Sequence, residues 1–159
     1  MVNVGDTLPD IVIKEMTADG PRDVSILDAC GSGTAVVFAV PGAFTPACSA
    51  QHLPGFIQRI DAFKAKGVSA IICIAVNDVF VMDAWARANN VNGRIRMLAD
   101  GNGALTRALG LQLDLRPYGL GVRSQRFAMV VKGGKVATLL VDEAGAFEVS
   151  AAGHVLANL

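Results

Sequence analysis

One cysteine stands where its sulfur could act as a nucleophile. Cys48 lies in the stretch VPGAFTPACSA, residues 40–50, directly after an apolar run. Thr45 is a good N-cap residue, because its hydroxyl can accept from the first free N–H groups of a helix, and Pro46 then falls at the first helical position. Cys48 is thereby predicted in the first turn, near unpaired N–H groups and the positive end of the helix dipole. Such a position favours the thiolate, which is the reactive form of cysteine.

Pro54 falls inside the helical pattern that follows, where it lacks an N–H and crowds the carbonyl of Ala50. We expect a kink or a local unwinding between Ala50 and Pro54, which would let the sulfur leave its pocket after reacting. A simple bend of the helix around the core is the alternative. Capping alone also leaves open whether Cys48 reacts, because buried cysteines are usually inert.

The composition predicts one globular domain, residues 1–159, long enough to form its own core. Lys plus Arg equals Asp plus Glu at 14 each, and this zero formal charge gives no support for nucleic acid or an anionic membrane as partner. The unbroken apolar stretches are shorter than the about 20 residues that span a bilayer. The N-terminus, MVNVGDTLPD, has neither a basic start nor an apolar signal region. We expect a cytoplasmic protein; a mature form without its leader is the alternative.

The cysteines argue against disulfides and metal. Cys30, Cys48 and Cys73 are an odd number at wide spacing, which is unlike a disulfide framework. No CxxC occurs, which argues against a zinc ribbon and against a dithiol oxidoreductase. The only histidines are His52 and His154, so the chain has few ligands for a His/Cys metal site.

Hydrophobic periodicity predicts alternating strands and helices. Two continuous apolar runs, 34–40 and 68–76, are typical of strands covered on both faces. The segment between them has apolar residues at three- and four-residue steps, the pattern of a helix: Leu53, Phe56, Ile57, Ile60 and Phe63. These three elements predict a right-handed βαβ unit with parallel strands. The other predicted elements are an opening hairpin around Asp19-Gly20, a helix capped by Asp78, a strand over 94–100, a short helix that Gly110 ends, a hairpin around Gly133-Gly134 and a C-terminal helix. This order predicts an α/β thioredoxin-like fold, a mixed central sheet with helices on both faces.

The stretch PGAFTPAC places Pro41, Thr45 and Cys48 in the spacing P-x-x-x-T-x-x-C. This resembles the active-site motif of the peroxiredoxins, which are thiol-dependent peroxidases. The longer string VPGAFTPACSAQHLPGF is similar to the type II (atypical two-cysteine) subfamily, closest to the plant and bacterial members that use glutaredoxin or glutathione. The likeness extends in order over nearly the whole chain, through VSAIICIAVNDVFVMDAW, RSQRFAMVV and GAFEVSAA.

The resemblance implies a role for each matching residue. Cys48 matches the peroxidatic cysteine, whose thiolate attacks hydrogen peroxide or an alkyl hydroperoxide and becomes sulfenic acid. Thr45 matches the hydroxyl that hydrogen-bonds thiolate and peroxide, and Pro41 the residue that shields the sulfur from water. Arg126 matches the arginine that stabilises the thiolate and polarises the peroxide, with Arg123 as the nearby competitor. An arginine suits this role because it keeps its charge and its fork reaches two acceptors together.

Three neighbouring residues have two interpretations each. His52 lies four residues after Cys48, and either orients a neighbour of the site or is a surface histidine; we expect the surface position. Trp85 and Phe80 either pack in the core, which we expect, or line a dimer contact. The second alternative follows from the resemblance, which implies a homodimer with its contact near the active-site loops.

How the sulfenic acid is reduced is open. Animal-type relatives carry a resolving cysteine near the C-terminus, but the matching stretch here has Val149 and Ser150. Cys73, 25 residues after Cys48, matches the second cysteine of plant-type members, yet it lies inside an apolar strand. We expect Cys73 to be a core cysteine, with a resolving cysteine as the alternative. Cys30 is expected to lie in a loop, within DACGSG, and to be incidental. An external thiol is the expected reductant, glutathione or glutaredoxin first and thioredoxin second, with no bound cofactor.

Two other functions use the same sequence features. A peroxide sensor or redox-signalling module would form the sulfenic acid on Cys48 without efficient turnover. A thioredoxin-fold protein with structural cysteines only would leave that thiol unreactive. Catalytic turnover distinguishes the peroxidase from both.

Overall fold

The two apolar runs predicted as buried strands form adjacent parallel strands at the centre of the structure. The computed structural model describes residues 1–159. Its strands are β1 (Val12–Thr17), β2 (Gly20–Ser25), β3 (Thr34–Ala39), β4 (Val68–Ala75), β5 (Arg96–Ala99), β6 (Gln112–Asp114), β7 (Val122–Ser124), β8 (Phe127–Lys132) and β9 (Lys135–Val141). Its helices are α1 (Ile26–Cys30), α2 (Leu53–Gln58), α3 (Ile60–Ala65), α4 (Val79–Ala88), α5 (Ala104–Leu109) and α6 (Ala152–Ala157). A π-helical turn spans Cys48–His52, and a 3-10 turn spans Arg116–Tyr118.

The main sheet has seven strands in the order β2-β1-β5-β4-β3-β8-β9. The pairs β3–β4 and β4–β5 are parallel, and the other neighbours are antiparallel. The predicted opening hairpin and the hairpin of β8 and β9 are both present at the edges. The mixed sheet is therefore as predicted, with its two parallel pairs in the middle.

Both faces of the central strands are buried, because successive side chains of a strand point to opposite faces. On β3, Val36 and Phe38 belong to one core, and Ala35 and Val37 belong to the other. The first core is covered by α2, α3, α4 and α6, and the second by α1 and α5. This arrangement confirms the thioredoxin-like α/β architecture. No helix of the chain combines the length and the apolar character that crossing a membrane requires.

The helical pattern after Cys48 folds as two helices rather than one. The break falls at Arg59, whose φ of −113° lies outside the helical range. Four of the five apolar positions share one buried face on both sides of the break, namely Leu53, Phe56, Ile60 and Phe63, and Ile57 is partly buried against the same core. The three- and four-residue spacing therefore identified the buried face correctly but did not reveal the interruption.

Helix α4 buries one aromatic side chain and exposes the other. Trp85 is fully buried, as expected, and its Nε1 donates to Ser49 Oγ at 3.0 Å. The core position expected for Phe80 is wrong, because its side chain is 65% exposed. The buried positions of α4 recur every three residues from Val79, so the next residue, Phe80, faces away from the sheet.

A second, two-stranded sheet of β6 and β7 was not predicted from the sequence. Each strand has three residues and most of its side chains reach solvent, so neither shows the alternation of buried and exposed residues that marks a strand. Cys30 also differs from expectation in its placement. It ends α1 and is buried in the core on the face opposite to Cys48, rather than lying in a loop.

Replacing the buried indole should cost far more stability than replacing an exposed side chain of the same helix. Trp85→Ala is expected to lower the free energy of unfolding by about 3–5 kcal/mol, because it leaves a cavity beneath α4. Arg87→Ala is the matched control: its side chain is 75% exposed and pairs only with Asp83, so we expect a change below about 0.5 kcal/mol. Urea unfolding followed by circular dichroism measures both. Equal losses in the two variants would contradict the orientation of α4.

Candidate active site

The sulfur of Cys48 lies in the first turn of a helix, as predicted. Helical backbone begins at Pro46, and the carbonyl of Thr45 accepts from the Ser49 N–H at 2.9 Å. The hydroxyl of Thr45 does not cap this turn, which corrects the sequence-based expectation: it donates to the Gly42 carbonyl at 2.7 Å instead. The backbone N–H of Cys48 consequently has no partner within the chain and is free to bind an oxygen atom.

The helix then widens into the π turn Cys48–His52, in which the Leu53 N–H bonds to the carbonyl of Cys48. Pro54 follows directly and has no N–H with which to continue an ordinary helical ladder. The irregularity predicted between Ala50 and Pro54 is therefore present, in the form of a π turn. Turns of this kind are rare and are frequent at functional sites.

Arg126 reaches the sulfur from the sheet. Strand β8 runs antiparallel to β3 with Phe127 opposite Ala39, so the residue before β8 emerges where the Cys48 loop leaves β3. The Nη2 of Arg126 donates to Cys48 Sγ at 3.2 Å. The ring of Phe147 lies 5.6 Å from the guanidinium carbon, a cation–π distance. A fixed cation in this position stabilises negative charge on the sulfur and on an oxygen bound beside it.

Arg123, the competing arginine, does not contact the sulfur. Its Nε donates to the Leu120 carbonyl at 2.7 Å, and its Nη1 donates to the Pro41 carbonyl at 3.3 Å. The loop is closely packed against it, since a Cβ added to Gly42 would lie 3.0 Å from both Arg123 Nη1 and the Thr45 methyl group. Arg123 thus holds the loop, whereas Arg126 holds the sulfur.

A second residue that holds this loop, Asn77, was not predicted from the sequence. The N–H of Ala43 donates to Asn77 Oδ1 at 2.9 Å, and Asn77 follows β4, the strand beside β3. A polar residue just after the carboxyl end of a parallel strand is the signal that could have indicated it, because neighbouring parallel strands end at the same edge of a sheet.

A cavity of about 340 Å³ adjoins the site. The side chain of Cys48 has no exposed surface, whereas the other three residues of the predicted site border this cavity. The wall is completed by apolar side chains from the β6 region and from the segment after β9, so that the residues around the opening include Pro41, Thr45, Arg126, Leu113, Leu115 and Phe147. The cavity has the size for a small peroxide beside the guanidinium.

His52 is buried, so the expected surface position is wrong. Its Nδ1 accepts from Arg126 Nη1 at 2.9 Å, because arginine can only donate. Its Nε2 therefore carries the proton and donates to the Ser150 carbonyl at 3.1 Å. Burial, together with the charge of Arg126, lowers the pKa of His52 to about 3, against the opposing effects of the Ser150 hydrogen bond and of Asp142. The imidazole is neutral at neutral pH.

Asp142 fixes the segment that carries Ser150. Its carboxylate accepts from the N–H groups of Glu148, Val149 and Ser150 and from the Ser150 hydroxyl. Burial raises the pKa of the Asp142 carboxyl, but these hydrogen bonds outweigh burial, and the pKa lies below its ordinary value. Neither Asp142 nor Ser150 was predicted from the sequence to support the site. An aspartate that accepts from N–H groups six to eight residues later follows no local motif.

The other two cysteines are buried free thiols. Cys73 lies in β4 on the same core face as Cys48, and burial raises the pKa of its thiol well above the ordinary value. Burial likewise raises the pKa of Cys30 to about 11. Both thiols are therefore protonated at neutral pH. No group of three or more His, Cys, Asp or Glu side chains lies close enough together to hold a metal ion.

Comparison with known proteins gives matches over nearly the whole chain. The redoxin family model matches residues 3–156. Peroxiredoxin-2C of Oryza sativa subsp. japonica is 46% identical over 159 residues, which cover 99% of this chain and 98% of that protein. Chloroplastic peroxiredoxin-2E of Arabidopsis thaliana is 42% identical over 162 residues, which cover 99% of this chain and 69% of that protein. The crystal structure of reduced Prx3 from Vibrio vulnificus in complex with hydrogen peroxide is 46% identical, with a TM-score of 0.95 and 99% of each chain covered.

The family matches agree with what the residues indicate independently. A cysteine in the first turn of a helix, beside a half-buried arginine and a small cavity, is an arrangement suited to thiol chemistry on a peroxide. The identities exceed 40% over nearly the full length of the chain. The chain belongs to the redoxin family and, within it, to the peroxiredoxins, the thiol-dependent peroxidases.

Proposed function

We propose that Cys48 is the peroxidatic cysteine and that Arg126, Thr45 and Pro41 complete its catalytic pocket. The single observation that carries this assignment is the 3.2 Å contact between Arg126 Nη2 and Cys48 Sγ. It pairs the buried sulfur with a permanent cation, which is what a reactive thiolate requires in a position without solvent. No other side chain of the protein donates a hydrogen bond to this sulfur.

In the oxidative step, the Cys48 thiolate attacks the terminal oxygen of the peroxide. An S–O bond forms as the O–O bond breaks, the sulfur loses two electrons, and the departing oxygen takes up a proton and leaves as water or an alcohol. Arg126 stabilises the negative charge as it moves from sulfur to the leaving oxygen, and the free N–H of Cys48 adds a second donor. The Thr45 hydroxyl donates its hydrogen bond to the Gly42 carbonyl, so its oxygen can accept a hydrogen bond from the O–H of the peroxide.

Organic hydroperoxides are proposed as substrates together with hydrogen peroxide. The cavity beside Arg126 has apolar walls that include Leu113, Leu115 and Phe147. These walls suit a small alkyl group, and the polar residues that line the same cavity include Thr45 and Arg126, beside which the O–O bond would be cleaved. Pro41 borders the same cavity and limits the access of water to the sulfur.

The reductant is proposed to be an external thiol, glutathione or glutaredoxin, with thioredoxin second. The external thiolate attacks the sulfenic sulfur, an S–S bond forms, and the oxygen leaves as water; a second thiol then breaks this mixed disulfide and returns Cys48 to the thiol. Cys73 is disfavoured as an internal alternative because its thiol is fully buried and protonated at neutral pH. Since Cys48 has no exposed surface, the π turn must open to admit the external thiol.

The compartment and cofactor use are proposed on chemical grounds. All three cysteines are free thiols, which supports a reducing compartment such as the cytoplasm. The cycle above moves electrons only between the peroxide, Cys48 and the external thiol, so it requires no bound cofactor.

A homodimer that forms near the active-site loops is also proposed, with a second copy of the chain covering exposed aromatic side chains. Phe44 is 54% exposed and Phe80 is 65% exposed, and the hydrogen bond between Ala43 and Asn77 joins the segments that carry them. Large apolar side chains exposed on adjacent segments are typical of protein interfaces. The resemblance to the peroxiredoxins implies a dimer contact near the same loops.

Charge placed on this surface should weaken the dimer. Phe80→Asp is expected to increase the monomer fraction in sedimentation velocity at micromolar concentration, because a carboxylate would be buried without a partner. Val4→Asp is the matched control, at a residue of similar exposure (62%) next to β9. A monomeric wild-type protein, or an equal effect of both substitutions, would argue against this interface.

Removal of the sulfur should abolish turnover. Cys48→Ser is expected to consume no peroxide in the presence of glutathione and glutaredoxin, whereas Cys73→Ala should keep cycling through many equivalents. Mass spectrometry of the wild type after one equivalent of peroxide and excess glutathione should show a glutathione adduct on Cys48. A Cys48–Cys73 disulfide would contradict the external reductant. Peroxide consumption that stops after one equivalent would favour the sensor.

The two arginines should differ in their effect on rate. Arg126→Ala is expected to slow the oxidation of Cys48 by about 10²–10³-fold, the loss typical of one transition-state donor, and to slow alkylation by iodoacetamide. Arg123→Ala removes only contacts with the loop, so it should slow the oxidation of Cys48 by about tenfold or less. Rapid-quench mass spectrometry of the remaining Cys48 thiol measures both rates. Equal losses, or a larger loss for Arg123→Ala, would overturn the assignment of the catalytic arginine.

A further inference from the structure

We propose that His52 is a positioning residue for the peroxidase reaction: it holds Nη1 of Arg126 so that Nη2 faces the sulfur of Cys48. This inference rests on the proposed catalytic role of Arg126. His52 itself makes no hydrogen bond to the sulfur, and the cavity residues do not include it. It therefore acts through the arginine rather than on the substrate.

The geometry follows from the shape of the guanidinium group. Its two terminal nitrogens bond in different directions, Nη1 to His52 Nδ1 at 2.9 Å and Nη2 to Cys48 Sγ at 3.2 Å. Because the group is planar and rigid, an acceptor that holds one nitrogen also sets the direction of the other. No hydrogen bond of the protein engages Nε of Arg126, so His52 is the one hydrogen-bond partner besides the sulfur that orients the guanidinium, which also packs against the ring of Phe147.

His52 can serve as this acceptor only in one tautomer. Nδ1 must be unprotonated to receive the arginine proton, and the Ser150 carbonyl selects that tautomer by taking the proton on Nε2. Ser150 is itself held through its N–H and hydroxyl by Asp142, so the contacts form a continuous series from the end of β9 to the sulfur. Burial and the neighbouring cation lower the pKa of His52 to about 3, which keeps the acceptor available at neutral pH.

Packing alone does not account for a histidine at this position. The surroundings are aromatic, with ring centroids of Phe38, Phe56 and Phe147 at 5.1, 5.7 and 5.0 Å from that of His52. A phenylalanine would fill such a site without burying polar atoms, which destabilise the folded protein when they are left unpaired. Both ring nitrogens of His52 are used instead, one for the loop and one for the arginine.

Three substitutions separate the two hydrogen bonds of His52. The side-chain oxygen of His52→Asn can take the place of Nδ1 and accept from Arg126. The longer amide of His52→Gln can take the place of Nε2 and donate to Ser150, but it leaves Arg126 without its acceptor. His52→Phe keeps the ring and removes both hydrogen bonds. All three are compared with the wild type by urea unfolding and by rapid-quench measurement of Cys48 oxidation.

If His52 positions Arg126, His52→Phe and His52→Gln should slow the oxidation of Cys48 by about 10–100-fold, the loss typical of a misplaced group. His52→Asn should restore the rate to within about threefold of wild type, whatever its effect on unfolding. Slow oxidation in His52→Asn, or a wild-type rate in His52→Gln, would overturn the inference. If His52→Phe does not fold, the comparison of the asparagine and glutamine variants still decides.

A double substitution separates this inference from the proposed function. In the presence of Arg126→Ala, His52→Gln should have little further effect on rate, because the group that it positions is gone. Full additivity of the two losses would contradict an action through Arg126 while leaving the catalytic role of the arginine intact. A wild-type rate in Arg126→Ala alone would instead refute the proposed function itself.

Discussion

The contact between Arg126 and Cys48 is the interaction on which the rest of this structure depends. A sulfur with no exposed surface can carry negative charge only if a partner replaces the water that it has lost. One nitrogen of Arg126 lies 3.2 Å from the sulfur and brings the compensating positive charge, and the free N–H of Cys48 adds a dipole at the helix start. In the reaction proposed above, the same two donors also stabilise the negative charge that develops on the departing oxygen of the peroxide.

The fold brings these groups together at one edge of the sheet. Strand β3 leads into the loop of Cys48, and the antiparallel pairing of β8 with β3 returns Arg126 to the same edge. Asn77, which follows the parallel strand β4, and Arg123, in β7, then hold the loop through hydrogen bonds to Ala43 and Pro41. The site is thus built from residues distant in sequence whose positions follow from strand direction, which explains why a rigid mixed sheet supports it.

Much of this arrangement can be read from the sequence, and the limits have physical causes. The buried strands, the position of Cys48 in a first helical turn and the irregularity at Pro54 follow from local rules of periodicity and capping, and Arg126 follows from family resemblance. Side-chain direction does not follow from such rules: His52 and Phe80 were each expected on the wrong side of their helix. The hydrogen bonds that the Asp142 carboxylate accepts from the segment 148–150 depend on tertiary contacts, which leave no local pattern in the sequence.

The most direct test is a crystal structure of the Cys48→Ser variant with hydrogen peroxide bound, because the hydroxyl replaces the sulfur without reacting. We expect one peroxide oxygen within hydrogen-bond distance of Arg126 and of the backbone N–H of residue 48, with the other O–H donating to Thr45 Oγ1. The substituted hydroxyl should lie in line with the O–O bond. A peroxide bound elsewhere in the cavity, with the guanidinium of Arg126 turned away from residue 48, would contradict the central claim.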